Sequence, residues 1–302
     1  MTESELFTSV VSDVVDGIVY LSQEIHRRGS KRKIKLLKMN NSTYSEGEHT
    51  FDISAEGIKI YPRISPVNAD QPSEVSRVDT GIPKLNELSR GGLFEQSSTL
   101  IAGNTGTGKT LFGLYFIVQG AKNGEPGIIS SFEESPGELR RYASSLGLEL
   151  EKLEQDGLIK IIYTSPSEIN SCRHSVILKE SIEEMGAKRV LVDDISGFDY
   201  VFEDPVSKRE HIANLIGCFK NMGITSMFIS GNRAAGSNVL TTEIPVSSLV
   251  DVLILLKHME IGKEIRKTMS ILKMHGSDHE KHLISYDIGS EGIKIGEFLK
   301  DI

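Results

Sequence analysis

The sequence is poor in what would mark a secreted, membrane-embedded or nucleic-acid-coating protein. Its only cysteines, Cys172 and Cys218, lie far apart and in no ligand spacing. That argues against a disulfide scaffold or a zinc site and suits a reducing cytoplasm. No apolar run approaches about 18 residues, which leaves no membrane span to expect, and the acidic start Met1-Thr2-Glu3-Ser4-Glu5 lacks signal-peptide character. A cytoplasmic protein with no membrane partner is expected. Positive charge is the minority, 34 Lys and Arg against 42 Asp and Glu for a net charge of -8, so non-specific nucleic-acid binding has no footprint and a nucleic-acid partner is not expected.

What is present begins with a repeat. Displaced by 235 positions, residues 11–60 align without a gap on residues 246–295, with sixteen identities in fifty positions against about one in fifteen by chance. The matches cluster: Leu37-Lys38-Met39 on Leu272-Lys273-Met274, and Glu56 to Ile60 on Glu291 to Ile295. Each copy reads as aliphatic strands, Gly17 to Leu21 with Lys35 to Met39 and Val252 to Leu256 with Ser270 to Met274, closed by a short hairpin. Pro62, Pro66 and Pro72 fall in a stretch with linker composition. Three regions are expected: an orphan β module over 1–62, a linker over 63–77, and a main domain over 78–302. The chain reads as the tail of one unit followed by a complete second one.

Residues 78–245 alternate β-rich runs with helical patterns, predicting an α/β fold with a mainly parallel sheet covered by helices. Strands are expected at Ser97–Ala102, Gly127–Phe132, Ile159–Tyr163, Arg189–Val192 and Thr225–Ser230. Helices are expected at Lys109–Lys122, Pro136–Leu146, Ser175–Met185 and Pro205–Met222. Between the first strand and helix lies Gly103-Asn104-Thr105-Gly106-Thr107-Gly108-Lys109-Thr110, a Walker A loop. Its glycines let backbone N–H groups curl round phosphate oxygens, Lys109 reaches the β- and γ-phosphates, and the Thr110 hydroxyl takes a Mg2+ position. ATP with Mg2+ is the cofactor this implies. Val190 to Asp194 is an apolar strand ending in carboxylate, with Asp193 the second metal ligand and Asp194 open to capping the next segment. Glu133 and Glu134, at the carboxyl end of another strand, suit activation of an attacking water or a solvated acidic loop equally well.

Taken together with Thr80 to Leu88, Gly91-Gly92-Leu93, Ser131 to Pro136, Val246 to Asp251 and Leu272-Lys273-Met274 with Gly276-Ser277, these motifs resemble the KaiC-like branch of the RecA-type ATPases over roughly 78–297. The resemblance implies a RecA-like P-loop fold and a slow ATPase. It makes Glu133 and Glu134 the catalytic carboxylates and sets ATP at the interfaces of a hexameric homo-oligomer. It makes Lys273 the residue that reaches the neighbour's γ-phosphate and marks Asn232 as a γ-phosphate sensor. It also marks Thr242, Ser247 and Ser248 as candidate phosphoacceptors of an autokinase activity. His275 departs from the family's arginine and weakens or adds pH sensitivity to neighbour-assisted hydrolysis. With His279 and His282 it forms a histidine group without the spacing of a metal site. In the orphan module, Lys38 stands at the Lys273 position and Asn40 at that of His275.

The function expected is a nucleotide-dependent oligomeric switch acting on a protein partner. The alternatives are a DNA-recombination or helicase-type RecA relative and a non-hydrolysing, ATP-assembled scaffold. No long basic loop with interleaved aromatics supports the DNA reading.

Overall fold

The computed structural model describes residues 10–26, 29–63, 76–231 and 246–299 of the 302-residue chain. Residues up to 65 together with 170–177 form one compact unit, and the remainder forms a second. Asn232 and Thr242, and most of the expected linker, lie outside the described residues.

The first unit carries a short helix α1 (Val10–Val14) and an antiparallel sheet of β1 (Gly17–His26), β2 (Gly29–Met39), β3 (His49–Ser54) and β4 (Gly57–Tyr61), paired in that order. β2 is strongly basic, and its Lys33 is held by Glu24 and Glu48 at 2.5 and 2.8 Å. The β3–β4 turn is two residues long and is followed by Gly57, whose φ of +111° suits glycine. Phe51 and Tyr61 are buried, and within this unit Thr50 Oγ1 donates to Asn170 Oδ1. An apolar set comprising Val19, Leu21, Ile53, Ile58 and Ile60 is exposed.

The second unit opens with a small ribbon of β5 (Arg77–Val78) and β6 (Leu93–Phe94) flanking helix α2 (Pro83–Leu88). Its main sheet comprises β7 (Ser98–Gly103), β8 (Gly127–Ser131), β9 (Ile159–Tyr163), β10 (Arg189–Asp193), β11 (Thr225–Gly231), β12 (Val252–Ile261), β13 (Glu264–Met274), β14 (Ile284–Gly289) and β15 (Gly292–Phe298). Their order is β15-β14-β13-β12-β7-β11-β10-β8-β9. The six strands from β12 to β9 are parallel, and β12 through β15 run as an antiparallel meander. Every residue of β7, β8 and β10 is buried, as strands covered on both faces require.

Helix α3 (Lys109–Lys122) contributes Phe112, Leu114, Phe116 and Ile117 to the buried core. Its face also receives α4 (Pro136–Ser145) and α5 (Leu150–Gln155) through Leu139, Leu150 and Leu153. The opposite face takes Leu178 and Ile182, from the part of α6 (Ser171–Met185) that belongs to this unit, and Ile212, Leu215 and Phe219 of α7 (Pro205–Asn221). Local chemistry sets the helix starts. Ser135 and Glu138 make a reciprocal capping box before α4, and Asp204 caps α7 through Ser207 N–H, each with proline at the first helical position.

The expected α/β architecture is observed, with differences at element ends. Helix α6 begins at Ser171 rather than Ser175, because its first turn shows no apolar periodicity. The hairpin strands run to ten or eleven residues, since ladder pairing continues beyond the point where burial, and so the apolar signal, stops.

The 235-residue displacement reappears in the pairing. β1 joins β2 with Gly17 opposite Met39 and a register shift after Ile18; β12 joins β13 with Val252 opposite Met274 and a shift after Leu253. Lys38 Nζ donates to the Ser12 carbonyl at 2.9 Å, and Lys273 Nζ to the Ser247 carbonyl at 3.3 Å. Asn40 N–H meets Asp16 O as His275 N–H meets Asp251 O. The sheet faces differ in cover. Ile254 and Leu256 are fully buried where Val19 and Leu21 are exposed, and Ile288, Ile293 and Ile295 pack on the core that includes α3.

Candidate functional site

The Walker A loop leaves the fully buried β7 and feeds α3, between β12 and β11. Gly106 and Gly108 adopt φ of +81° and +87°, conformations that a Cβ would strain. Gly103 is required for a different reason: a Cβ there would lie 2.4 Å from the Leu256 carbonyl oxygen of β12. Within the loop, Lys109 Nζ and Thr107 Oγ1 both donate to the Asn104 carbonyl, at 3.1 and 2.8 Å. Asn104 is half-buried and Thr105 exposed, so the loop presents its outer residues to solvent while Thr107 is fully buried.

Two carboxylate pairs stand at the carboxyl ends of neighbouring strands. Asp193 closes β10, is 1 % exposed and accepts the Thr110 hydroxyl. Its Oδ2 is buried without a hydrogen-bond partner among the described residues, and so is Glu134 Oε2. Burial pushes the Asp193 carboxyl well above its ordinary value and the Glu134 charge adds to this, while the Thr110 hydrogen bond opposes it. Glu134 is raised by burial first and then by the charge of exposed Glu133. A buried carboxylate oxygen with no donor among the described residues, in a group whose charge is opposed by burial and by neighbouring carboxylates, is what a cation would stabilise. Thr110 and Asp193 thus fit Mg2+, with further oxygens to come from phosphate and water. No group of three or more His, Cys, Asp or Glu that could hold a metal occurs among the described residues.

Asp194 does cap the next segment: its Oδ1 accepts Ser196 N–H at 2.8 Å at the start of the 3-10 turn Ile195–Tyr200. It also ties that turn to β11, because Oδ2 accepts Gly231 N–H at 2.6 Å. This second bond was not legible in the sequence, where the two residues are 37 positions apart.

Lys273 stands apart from the loop of its own chain. It pairs with Leu253, which pairs with Leu100, three residues short of Gly103 on β7. At about 3.3 Å per residue and about 4.8 Å per strand, that is roughly 10 Å along the sheet and 10 Å across it. Its ammonium donates to the carbonyls of Val250 at 2.6 Å and Ser247 at 3.3 Å, and desolvation lowers its pKa. Ser247 and Ser248 sit in this same turn, with Ser248 Oγ accepting from Arg209 at 3.0 Å. His275 is exposed, its Nδ1 3.9 Å from Asp251.

Two residues not singled out in the sequence hold the site's frame. Arg189, fully buried at the start of β10, donates to Glu125 at 2.6 Å and to the carbonyls of Asp79 and Phe116 at 2.6 and 2.8 Å. Tyr286 of β14 donates to the Thr107 carbonyl inside the Walker A loop at 2.6 Å. Phe51, at the corresponding position of the repeat, matches the aromatic ring and not the hydroxyl.

Comparison with known proteins adds two findings. A family model described as "ATPase: KaiC" matches residues 2–65 and, separately, 78–300. Among curated relatives, the chain is 30 % identical over 288 residues to circadian clock oscillator protein KaiC 1 of Synechocystis sp., covering 95 % of this chain and 55 % of the relative. It is 32 % identical over 292 residues to circadian clock protein KaiC3 of the same organism, at 96 % and 57 % coverage. It is 33 % identical over 282 residues to circadian clock oscillator protein KaiC of Parathermosynechococcus lividus, at 93 % and 52 %. The chain spans about half the length of the curated relatives it matches. No helix among the described residues is long and apolar enough to cross a membrane.

Proposed function

The chain belongs to the KaiC ATPase family, and from that premise we propose that it binds MgATP at Gly103–Thr110 and hydrolyses it slowly, in a cytoplasmic ring where each site is completed by the neighbouring subunit. The observation that carries this reading is the pair of buried carboxylate oxygens, on Asp193 and Glu134, that have no hydrogen-bond partner among the described residues, with the Thr110 hydroxyl at Asp193. Mg2+ held by Thr110 and Asp193 would supply positive charge to the phosphate oxygens. Lys109 neutralises the same region from the loop, and Glu133 and Glu134 orient and deprotonate water. Lys273 cannot reach the loop of its own subunit, which supports its service to a neighbour's γ-phosphate.

The ring reading makes a specific test possible. Lys273→Ala subunits keep an intact Glu133, and Glu133→Gln subunits keep an intact Lys273. Mixed rings then contain sites with both groups, and their ATP turnover exceeds that of either variant alone. Mixtures that show only the mean of the two rates contradict the shared site.

The same placement puts Ser247 and Ser248 on the turn that holds Lys273, so in the ring their hydroxyls would lie near a neighbour's nucleotide. Phosphorylation there, with Thr242 as a further acceptor, gives the switch a chemical memory; intact mass after incubation with MgATP tests it through phosphate-sized additions. The first unit is read as a second copy of the β12–β15 module. Support comes from the shared register, the repeated Lys38 and Lys273 hydrogen bonds, and the apolar face left exposed where its counterpart covers an ATPase core.

A further inference from the structure

Tyr286 is 1 % exposed, set between β13 and β15 by pairing with Lys267 and Ile295, and its ring meets Phe112 edge-on at 5.6 Å. Its hydroxyl donates to the Thr107 carbonyl at 2.6 Å. Two residues along and on the same strand face, Ile288 bears on the next residue of the loop: a Cβ on Gly108 would lie 2.2 Å from its Cδ1. Adjacent side chains of β14 therefore brace the Thr107–Gly108 peptide. In a planar trans peptide the C=O and the following N–H point in opposite directions. Holding the Thr107 carbonyl toward β14 thus turns the Gly108 N–H away from it, toward the side on which a Walker A loop receives phosphate. A hydrogen bond to the carbonyl also polarises the amide and strengthens that N–H as a donor.

The hydroxyl is not needed for packing. Phe51 occupies the position 235 residues earlier, paired in the same register and buried, with a ring and no hydroxyl. Burial keeps the Tyr286 phenol protonated, so it remains a donor across the working pH range.

We propose that Tyr286 is a positioning residue of the nucleotide site, whose hydroxyl orients the Gly108 N–H toward the phosphates. This inference rests on the reading of Gly103–Thr110 as the phosphate loop. Its test compares the wild-type chain with Tyr286→Phe and Lys109→Ala, measuring affinity for ATP and ADP with Mg2+, competition by adenosine, steady-state turnover and nucleotide-free thermal stability. Tyr286→Phe should weaken ATP and ADP about 3- to 10-fold, the range of one net hydrogen bond. Its kcat should stay within about twofold and adenosine competition should be unchanged, because adenosine has no phosphate to feel the lost orientation. Wild-type affinity for ADP in Tyr286→Phe overturns the proposal. So does a parallel loss of adenosine and ADP binding with a lowered melting temperature, which marks general damage. If Lys109→Ala binds ATP as well as the wild type does, the phosphate-loop reading itself is wrong.

Discussion

Asp193→Asn should make the nucleotide-free protein more stable while disabling it. Asp193 is 1 % exposed, accepts the Thr110 hydroxyl, and leaves Oδ2 without a partner among the described residues. Its folded-state pKa lies above its unfolded one, and each unit of such a shift costs about 1.4 kcal/mol once the group is ionised. Asparagine keeps the acceptor for Thr110 and removes the charge, leaving one unpaired amide that costs about 1 kcal/mol. Removing the charge outweighs one unpaired amide, so the variant should melt above the wild type at pH 8, by about 2–4 °C for each kcal/mol gained in a chain of this size. The sign with pH is fixed by the direction of the shift. The wild-type penalty is absent below the ordinary carboxylate value, grows as pH rises above it, and levels off above the folded value. The gap between variant and wild type should therefore be wide at pH 8 and close toward pH 4. Adding MgATP should reverse the order, because the ion stabilises only the wild-type carboxylate. Thermal unfolding in chelator and in MgATP, at three pH values, measures all of this. A variant that melts below the wild type at pH 8 in chelator, or a gap that ignores pH, refutes the reasoning.

Other perturbations follow from the same geometry. Gly103→Ala places a methyl 2.4 Å from the Leu256 carbonyl in the ladder between β7 and β12, and should cost about 2–3 kcal/mol in denaturant unfolding. Arg189→Ala strands Glu125 and the carbonyls of Asp79 and Phe116, and should cost about 3–5 kcal/mol in the same measurement. The acid limb of ATP turnover should lie above the ordinary glutamate value because Glu134 is raised by burial and by Glu133, and Glu133→Gln should shift that limb downward in whatever activity remains.

The sequence held the site's local parts and hid its long-range ones. The Walker A loop and the β10 carboxylate were legible because each is a short run whose backbone and chemistry sit together. The 235-residue displacement showed in the sequence as contiguous strings, Leu-Lys-Met and Glu-Gly-Ile-Lys-Ile, and the register of β12 with β13 matches that of β1 with β2. The short helices α2 and α5 were not expected, because six residues show less than two helical turns of pattern. Arg189 read as the polar start of a strand, since only the folded chain brings Asp79, Phe116 and Glu125 around it. Tyr286 lies 179 positions from the carbonyl it holds, a separation no local pattern encodes. Lys273 was expected to act on a neighbour solely from family resemblance; the register of β7, β12 and β13, which sets it apart from the loop of its own chain, is not written in any local pattern.

The most direct measurement is ATP turnover by purified wild type beside Lys109→Ala and Glu133→Gln, with native mass recorded in the same buffers. Slow phosphate release by an oligomer is expected in the wild type, no nucleotide-dependent signal in Lys109→Ala, and an assembled, ATP-bound Glu133→Gln with strongly reduced turnover. Equal turnover in all three proteins, or full turnover by a monomer, contradicts that expectation.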